Sequence, residues 1–432
     1  MRQRIDPKQL IRELTLAGLC QTAEEYYRNL PEPALQMSQP FASTMEAPQL
    51  LYKMGLLLYG LRLGKSMVVL DFGAGTCWFS RLLNQMQCIT ISVDVSESAL
   101  ELGKKLFEVS PIVGEYLQPP RFVPFDGEHI EVADDSVDRI ICFNTLHHVP
   151  NVAQVLSEFF RVLKPGGIVG FSEPGIYHSQ GAAAQYEMSM YAVLENDIHM
   201  DEIKEIATDI GFSDLRIKLV NNPIMDLDYS AYERFIEWSA LGRIAAELRR
   251  DFWATVPKIL RRKTASQVFK PRGISLLARI LLKDIAPAMQ SSTVFFLTKG
   301  TYIPDSRTHM GLKHEIELLT KEGSARVGEP MELTVRVKNV GQSKWLHRSI
   351  RDIGVVKVGV HLLDANGQLL ENDFARGGLK ADVMPGEGVT VKLSVTFTEP
   401  GEYVLSVDLV AEHIYWFQVL GSQPQLFRAT VA

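Results

Sequence analysis

A chain of 432 residues is too long for one ordinary hydrophobic core, so its length predicts at least two domains. Hydrophobic residues make up 46% of the chain and charged residues 22%, which is the composition of a globular protein in water. The net charge of −6 argues against nucleic acid as the main partner, because a surface that binds phosphates must be basic.

The cysteines and the amino terminus bear on the compartment. No two cysteines have the C-x-x-C spacing, so they predict neither a disulfide framework nor a zinc site and fit a reducing cytoplasm. Arg12 and Glu13 interrupt the apolar residues near the amino terminus, so no signal peptide is expected. No stretch approaches the roughly 18 apolar residues of a membrane-spanning helix. We therefore expect a cytoplasmic protein, with contact to a membrane surface left open.

Residues 1–66 are predicted to form a helical segment, which several prolines divide into short pieces. From residue 67 to residue 300, short strands alternate with amphipathic helices. The strands are apolar throughout rather than at every second position, so both of their faces are expected to lie under helices. This pattern predicts an α/β domain with a doubly wound, Rossmann-like and mostly parallel sheet. Its predicted strands are Val68–Leu70, Ile89–Val93, Arg139–Phe143, Ile168–Phe171, Arg216–Val220 and Thr293–Leu297.

Residues 222–290 form a predicted helical insertion between the last two of these strands. From Leu241 to Asp284 the insertion carries eleven lysines and arginines against three acidic residues, in a chain whose net charge is −6. Such a charge run is commonly a solvated helical face. It also suits a lid over the acceptor that contacts an anionic membrane or a lipid-linked substrate.

After a linker at residues 301–313, the hydrophobic period changes from that of a helix to that of a strand. Apolar and polar residues alternate, for example at Met331, Leu333, Val335 and Val337, and Gly-containing turns separate these runs. Residues 314–432 are therefore predicted to form a separate antiparallel β-sandwich.

The stretch DFGAGTCWFS, residues 71–80, follows the first strand and contains a glycine turn. Gly73 and Gly75 allow close approach of a ligand to the backbone, and the helix that follows offers unpaired N–H groups. Asp94 ends the second strand, where a carboxylate accepts hydrogen bonds from both hydroxyls of a ribose. These features alone leave NAD and S-adenosylmethionine (SAM) as alternatives.

Three further motifs separate the two cofactors. Residues 125–130 read FDGEHI, residues 134–149 read DDSVDRIICFNTLHHV, and residues 161–167 read RVLKPGG. Together with the glycine turn and Asp94, they resemble class I SAM-dependent methyltransferases with a type 11-like domain. The resemblance covers roughly residues 45 to 220 and the strand near residue 295.

The resemblance implies SAM as the cofactor and a role for each matched position. SAM carries an ammonium and a sulfonium, which carboxylates and carbonyl oxygens suit. Cys77 stands where many relatives have glycine, and packing is the predicted role of its thiol. The implied contacts are Asp71, Gly73 and Gly75 with the methionine end, Asp94 and Val95 with the ribose, Asp126 and Gly127 with the adenine, and Asn144 with the amino group of the cofactor.

The residues beyond the fourth and fifth strands are candidates for the chemistry. His147 and Glu173 fall on the rim where ligands bind in open α/β sheets, so we interpret them as candidate catalytic residues. His148 and His178 are weaker candidates, and a purely structural role of the histidine pair is the alternative. No metal site is expected, because the acidic pair Asp134–Asp135 lacks further ligands.

The carboxyl-terminal region is similar to immunoglobulin-like modules of bacterial glycan-processing and glycan-export proteins. Some such modules bind sugar, and Trp345, Tyr415 and Trp416 are either sugar-stacking platforms or core residues.

These observations together predict a SAM-dependent methyltransferase that methylates an oxygen of a sugar or of a glycan- or lipid-linked acceptor in bacterial surface polysaccharide metabolism. The alternatives are a methyltransferase of a lipid quinone or a secondary metabolite, and a non-catalytic scaffold in glycan assembly. The sequence does not indicate an oligomeric state.

Overall fold

The structure, a computed structural model, describes residues 4–219, 292–321 and 323–432. Its contacts divide the chain into two compact units, Met1–Lys218 with Val294–Ala432, and Leu219–Thr293. The predicted α/β domain and the β-rich carboxyl-terminal region both belong to the first unit. The predicted basic insertion at 222–290 lies outside the described residues.

Four helices precede the sheet, as the amino-terminal segment predicts. Asp6 and Thr15 begin the first two, since their side chains accept hydrogen bonds from the backbone N–H groups of Lys8 and Gly18. A proline occupies the first or second position of the other two, where its missing N–H costs nothing. The helices are α1 (Pro7–Glu13), α2 (Leu16–Arg28), α3 (Pro33–Met37) and α4 (Ala47–Leu61).

A seven-stranded sheet with the order β3-β2-β1-β4-β5-β7-β6 forms the centre of the α/β domain. Strands β1 to β5 pair in parallel. Strand β7 runs antiparallel to β5. The start of β5 lies beside the end of β7, since the N–H of Gly166 donates a hydrogen bond to the carbonyl of Lys299, just after β7, at 2.6 Å. The strands are β1 (Val68–Phe72), β2 (Ile89–Asp94), β3 (Arg121–Pro124), β4 (Val137–Phe143), β5 (Leu163–Pro174), β6 (Asp214–Leu219) and β7 (Ser292–Thr298).

This sheet confirms the predicted Rossmann-like class and all six predicted strands. The prediction missed β3, whose four residues include only one buried side chain, Val123, and so lack an apolar run. Helices cover the sheet and bury its apolar residues in one large core. The described helices after β1 are α5 (Trp78–Gln85), α6 (Glu97–Val109), α7 (Val152–Val162), α8 (Ala182–Tyr191) and α9 (Met200–Ile210), of which α5, α6 and α7 pack directly on strands, as α4 does. Within the described ranges, no helix combines the length and apolar character needed to cross a membrane.

The carboxyl-terminal region contains two sheets that share one hydrophobic core. One sheet has the order β13-β10-β8 and the other the order β12-β11-β14-β16-β9, with β15 paired to β14. The predicted alternating strands correspond to β10, β11, β13 and β14, while the immunoglobulin-like resemblance stays a prediction. The strands are β8 (His314–Leu318), β9 (Ser324–Ala325), β10 (Pro330–Asn339), β11 (Val356–Asp364), β12 (Leu369–Gly378), β13 (Gly388–Thr396), β14 (Gly401–Ala411), β15 (Tyr415–Trp416) and β16 (Gln425–Val431).

A buried charge network joins the carboxyl-terminal region to the amino-terminal edge of the seven-stranded sheet. Asp138, at the start of β4, accepts hydrogen bonds from the backbone N–H of Val68 at 2.8 Å, from Lys164 at 3.0 Å and from Arg307 at 2.9 Å. Arg307 also binds Asp305 at 2.8 Å. Burial alone raises the pKa of Asp138, but Arg307 and Lys164 outweigh that effect and lower the pKa to about 2.

Apolar contacts extend this junction. Ile353 of the carboxyl-terminal region packs in one buried cluster with Ile89, the first residue of β2, and Leu117. The predicted linker is thus partly buried, since Asp305 and Ser306 are both covered. The β-rich region therefore contacts the edge of the sheet where the parallel strands begin.

We expect Asp138→Asn to lower the free energy of unfolding by about 3 kcal/mol, because it leaves the buried Arg307 guanidinium with one carboxylate fewer. Chemical denaturation measures the change. The matched control is Glu317→Gln, which breaks the exposed 2.9 Å pair with Arg336 and should cost less than about 1 kcal/mol. Equal losses in the two variants would contradict the role of the buried network.

Candidate cofactor and acceptor site

The glycine turn after β1 adopts a backbone that only glycine accommodates easily. Gly73 has a φ of +64° and Gly75 a φ of +51°, both in the left-handed region. A Cβ on Gly73 would lie 2.0 Å from Cγ2 of Thr145, in the loop after β4. The turn therefore packs directly against the carboxyl end of the neighbouring strand.

Asp94 ties this turn to the end of β2. Its Oδ2 accepts a hydrogen bond from the N–H of Gly75 at 2.8 Å, and its Oδ1 accepts one from Ser96 at 2.9 Å. Burial raises the pKa of Asp94 to about 6. Each carboxylate oxygen keeps a further lone pair, so the group still has acceptors for two ribose hydroxyls. Val95, next to it, is half-buried against the core.

Asp71, the residue before the last one of β1, is equally buried. Its Oδ2 accepts a hydrogen bond from the Ser80 hydroxyl at 2.7 Å, and burial raises the pKa of Asp71 to about 6. Ser80 in turn accepts a hydrogen bond from the Ser92 hydroxyl at 2.8 Å, which links β1, α5 and β2. Asp71 therefore supplies negative charge close to the glycine turn from a fixed position.

The three remaining predicted cofactor residues lie on the same edge of the sheet. Asp126 follows β3, and its Oδ1 accepts from Glu128 N at 2.8 Å and His129 N at 2.7 Å, which lowers its pKa. Gly127 has a φ of +95°. Asn144, exposed at the end of β4, has a φ of +50°. The structure thus brings all eight predicted positions to the carboxyl edge.

Helix α2 covers part of this edge, which the sequence analysis did not foresee. A Cβ on Gly75 would lie 2.7 Å from the Tyr27 hydroxyl, and one on Gly127 would lie 3.2 Å from Cys20 Sγ. Glu24 accepts hydrogen bonds from the hydroxyl of Ser96 at 2.7 Å and from the N–H of Ser98 at 3.0 Å. The amphipathic pattern of the α2 residues predicts a helix with one packed face, but it does not indicate which surface that face covers.

Cys77 has a packing role in the structure. Its φ of +56° is left-handed, as the usual glycine of this position would be, and its side chain is fully buried. A Cβ on Gly103 of α6 would lie 2.4 Å from Cys77 Sγ, so the glycine of α6 makes room for the thiol.

His147 lies in a short 3₁₀ turn, Leu146–His148, directly after β4, and is buried. Its Nδ1 is 2.7 Å from Oε2 of Glu173 in β5. The other oxygen of Glu173 accepts from the N–H groups of Thr145 and Leu146, each at 3.0 Å. Burial alone raises the pKa of Glu173, but the hydrogen bonds from His147 and the backbone outweigh it and lower the pKa. In the tautomer with its proton on Nδ1, the imidazole donates to this carboxylate, and Nε2 is then the nitrogen that can accept a proton.

Glu195 completes a cluster that the sequence analysis did not recognise. Its carboxylate is 2.6 Å from His178 Nε2, 3.7 Å from His147 Nε2 and 3.8 Å from His148 Nδ1. His148 binds the Leu194 carbonyl at 2.6 Å, and burial, together with His147, lowers its pKa to about 4. Glu195 is buried in an irregular loop, where no hydrophobic period marks it. The structure therefore places both weaker histidine candidates beside His147.

The aromatic candidates in the carboxyl-terminal region are mostly covered. Trp345 is fully buried in the core, so of its two predicted roles the structure supports the core residue and not the sugar platform. The Trp416 ring lies 3.9 Å from the His361 ring and 4.6 Å from the Arg376 guanidinium. Tyr415 is 47% exposed.

The sheet has a glycine turn after its first strand, and acidic residues lie at the carboxyl ends of the strands that follow. This arrangement defines a Rossmann-like domain that holds an adenosine-containing cofactor. Residues 70–171 match the family model described as a methyltransferase domain. Residues 70–171 thus carry a methyltransferase domain, whose cofactor is SAM.

Known proteins with similar sequences are methyltransferases of different acceptors. The ubiquinone/menaquinone biosynthesis C-methyltransferase UbiE of Haemophilus ducreyi is 27% identical over 35% of this chain and 66% of its own length. The malonyl-acyl-carrier-protein O-methyltransferase of Yersinia pestis is 36% identical over 24% of this chain and 36% of its own length. The chain therefore spans less than two thirds of either relative.

Among solved structures, phosphoethanolamine N-methyltransferase 2 of Haemonchus contortus, in complex with phosphomonomethylethanolamine and S-adenosylhomocysteine, has a TM-score of 0.40 and 16% identity. The similarity covers 67% of this chain and 60% of that chain. At this level it identifies no substrate.

We expect the affinity for SAM to fall about tenfold from about pH 7.5 to about pH 5, measured by titration calorimetry. Both Asp71 and Asp94 have pKa values raised to about 6, so they are ionised above that pH and become protonated below it. Protonation removes negative charge near the SAM ammonium and acceptors for the ribose hydroxyls.

Asp94→Ala is the matched variant for this measurement. It should weaken SAM binding about 100-fold at neutral pH, because both ribose hydroxyls lose an acceptor. An unchanged affinity in Asp94→Ala would refute the ribose assignment, and an affinity of the wild type that rises on acidification would refute the charge argument.

Proposed function

We propose that the chain transfers a methyl group from SAM to an acceptor that carries a hydroxyl group, with His147 as the general base. The observation that carries this proposal is the 2.7 Å contact between His147 Nδ1 and the buried carboxylate of Glu173. With the Nδ1 proton donated to Glu173, the Nε2 atom of His147 points away from that carboxylate and can accept a proton. His147 follows Thr145 by two residues, and the side chain of Thr145 touches the glycine turn. Base and cofactor turn thus lie at the ends of adjacent strands, β4 and β1.

The chemistry needs few groups. The acceptor oxygen attacks the methyl carbon in line with the C–S bond, which breaks and leaves S-adenosylhomocysteine. The hydroxyl proton passes to Nε2 of His147 as the new C–O bond forms. Glu173 stabilises the imidazolium that results, as a buried carboxylate does beside a catalytic histidine.

A hydroxyl of a sugar, or of a glycan- or lipid-linked molecule, is the first candidate acceptor. Its support is the resemblance of the carboxyl-terminal region to glycan-associated modules. That region contacts the amino-terminal edge of the sheet, through Asp138 and Arg307, whereas the histidines lie at the carboxyl edge. Its proposed role is accordingly to hold a distant part of a long acceptor or another protein. Membrane contact of the basic insertion stays a prediction.

A phenolic quinone precursor is the second candidate, and the similarity to the UbiE C-methyltransferase favours it. Loss of the phenol proton raises electron density on the neighbouring ring carbon, which attacks the methyl group as the C–S bond breaks; that carbon then loses its own hydrogen as a proton and the ring becomes aromatic again. The same base serves this reaction, and a phenol with a pKa of about 10 is easier to ionise than a sugar hydroxyl. Oxygen and carbon methylation therefore share the His147–Glu173 pair.

Incubation of the full chain with radiolabelled SAM and fractionated lipid, glycan and small-molecule extracts tests the acceptor. Label in a sugar-containing product supports the first candidate, and label in a phenolic or quinone product supports the second. Saturable SAM binding without label in any fraction would overturn the catalytic proposal and favour a scaffold role.

We expect His147→Ala to lower kcat by about 100-fold and to leave SAM affinity within about twofold, because the base acts on the acceptor only. Glu173→Gln should also lower kcat, since an amide neither fixes the tautomer nor stabilises the imidazolium. His129→Asn, a change at an exposed histidine 3.1 Å from Glu158, is the control. Full activity of His147→Ala on the identified acceptor would exclude His147 as the base.

A further inference from the structure

Three potential metal-binding atoms converge beside the proposed base. They are Nε2 of His147, Nε2 of His178 and a carboxylate oxygen of Glu195, and all of them lie within 4.8 Å of one another. The separation is 3.7 Å between His147 Nε2 and Glu195 Oε2 and 2.6 Å between His178 Nε2 and the same oxygen. Two ligand atoms about 2 Å from one tetrahedral ion lie about 3.3 Å apart, so a small widening of the His178–Glu195 hydrogen bond would bring these atoms to that spacing.

The protein fixes these atoms from three separate segments. Glu173 holds the His147 ring from behind at 2.7 Å, and Asn196 N–H donates to the His147 carbonyl at 2.9 Å. Asp197 accepts from the N–H of Ser179, beside His178, at 2.8 Å. The loop that carries Glu195 is therefore pinned to both histidine turns, so the ligand geometry is built before any ion binds.

The charges favour a cation at this point. Glu195 is buried, and in the part of the chain that the structure describes, the ion-pair partners of its carboxylate are three histidines, His147, His148 and His178. The carboxylate of Glu173 adds a second buried negative charge behind His147. Buried carboxylates are costly unless they are paired or coordinate a metal.

We propose that His147, His178 and Glu195 bind a divalent transition-metal ion, with Glu173 as the hydrogen-bonded carboxylate behind His147. Two imidazoles and one carboxylate form a donor set for zinc or non-haem iron, with positions left for water or substrate. A carboxylate that accepts the other N–H of a ligating histidine is the usual outer support of such a site. This proposal departs from the sequence-based expectation of no metal.

The use of the ion rests on the proposed function. An acceptor hydroxyl bound to the ion loses its proton to solvent more readily, as metal-bound water does, and then attacks the methyl group of SAM. His147 Nε2 is either a metal ligand or a proton acceptor at a given moment. The ion would thus take over the activation that His147 alone provides in the metal-free protein.

Titration of the full chain with Co²⁺, after chelation and removal of the chelator, tests the site without SAM or acceptor. We expect one equivalent to bind, with visible absorption from a nitrogen- and oxygen-bound ion, and Zn²⁺ to displace it. Glu195→Gln and His178→Asn should each weaken Co²⁺ binding at least about tenfold, because each removes one of three ligands.

Two control variants sharpen this test. Glu187→Gln removes a neighbouring carboxylate outside the cluster, and His413→Asn removes an exposed imidazole, so both should bind Co²⁺ as the wild type does. SAM affinity, measured separately, reports whether each variant is folded.

Absence of saturable Co²⁺ absorption in the wild type would overturn the proposal, and so would binding that neither Glu195→Gln nor His178→Asn weakens. A failed methyl-transfer assay with intact Co²⁺ binding would instead count against the proposed function and leave the metal site standing.

Discussion

One buried carboxylate organises the chemical side of this molecule. Glu173, at the end of β5, accepts hydrogen bonds from three backbone N–H groups of the loop after β4 and from the His147 ring. It thereby fixes both the path of that loop and the orientation of the imidazole. Thr145, in the same loop, packs on Gly73, so the position of the cofactor turn depends on it as well. Both proposals for the site, base and metal ligand, begin from this arrangement.

The two edges of the seven-stranded sheet have separate tasks. The carboxyl edge carries the glycine turn, the acids Asp71 and Asp94, and the histidine cluster, as expected for an open sheet of parallel strands. The amino edge carries Asp138 and its partner Arg307, which attach the β-rich region. The site residues and the contacts with the β-rich region thus lie about one strand length apart, so a substitution at one edge of the sheet need not disturb the other edge.

The sequence was sufficient to predict six strands and to place the candidate cofactor residues at one edge of the sheet, because both follow local rules. Buried parallel strands are apolar throughout, and their ends meet at one edge, so Asp94 and Asn144 could be placed without knowing distances. Strand β3 was missed for want of an apolar run. The role of Glu195 and the position of α2 over the carboxyl edge were not predicted, because both depend on contacts between segments far apart in the chain. The Asp138–Arg307 pair, 169 residues apart, is likewise visible only in three dimensions.

The buried junction at Asp138 also bears on how the chain can be divided. Cutting the chain in the predicted linker before Arg307 would separate Asp138 from Arg307 and expose Ile89 and Leu117, which now pack on Ile353. An excised α/β fragment would then leave Asp138 without its guanidinium partner and would carry a new apolar patch, and such a patch promotes aggregation. The β-rich region therefore shields part of the α/β domain from solvent, and a fragment without it would expose surface that is buried in the full chain.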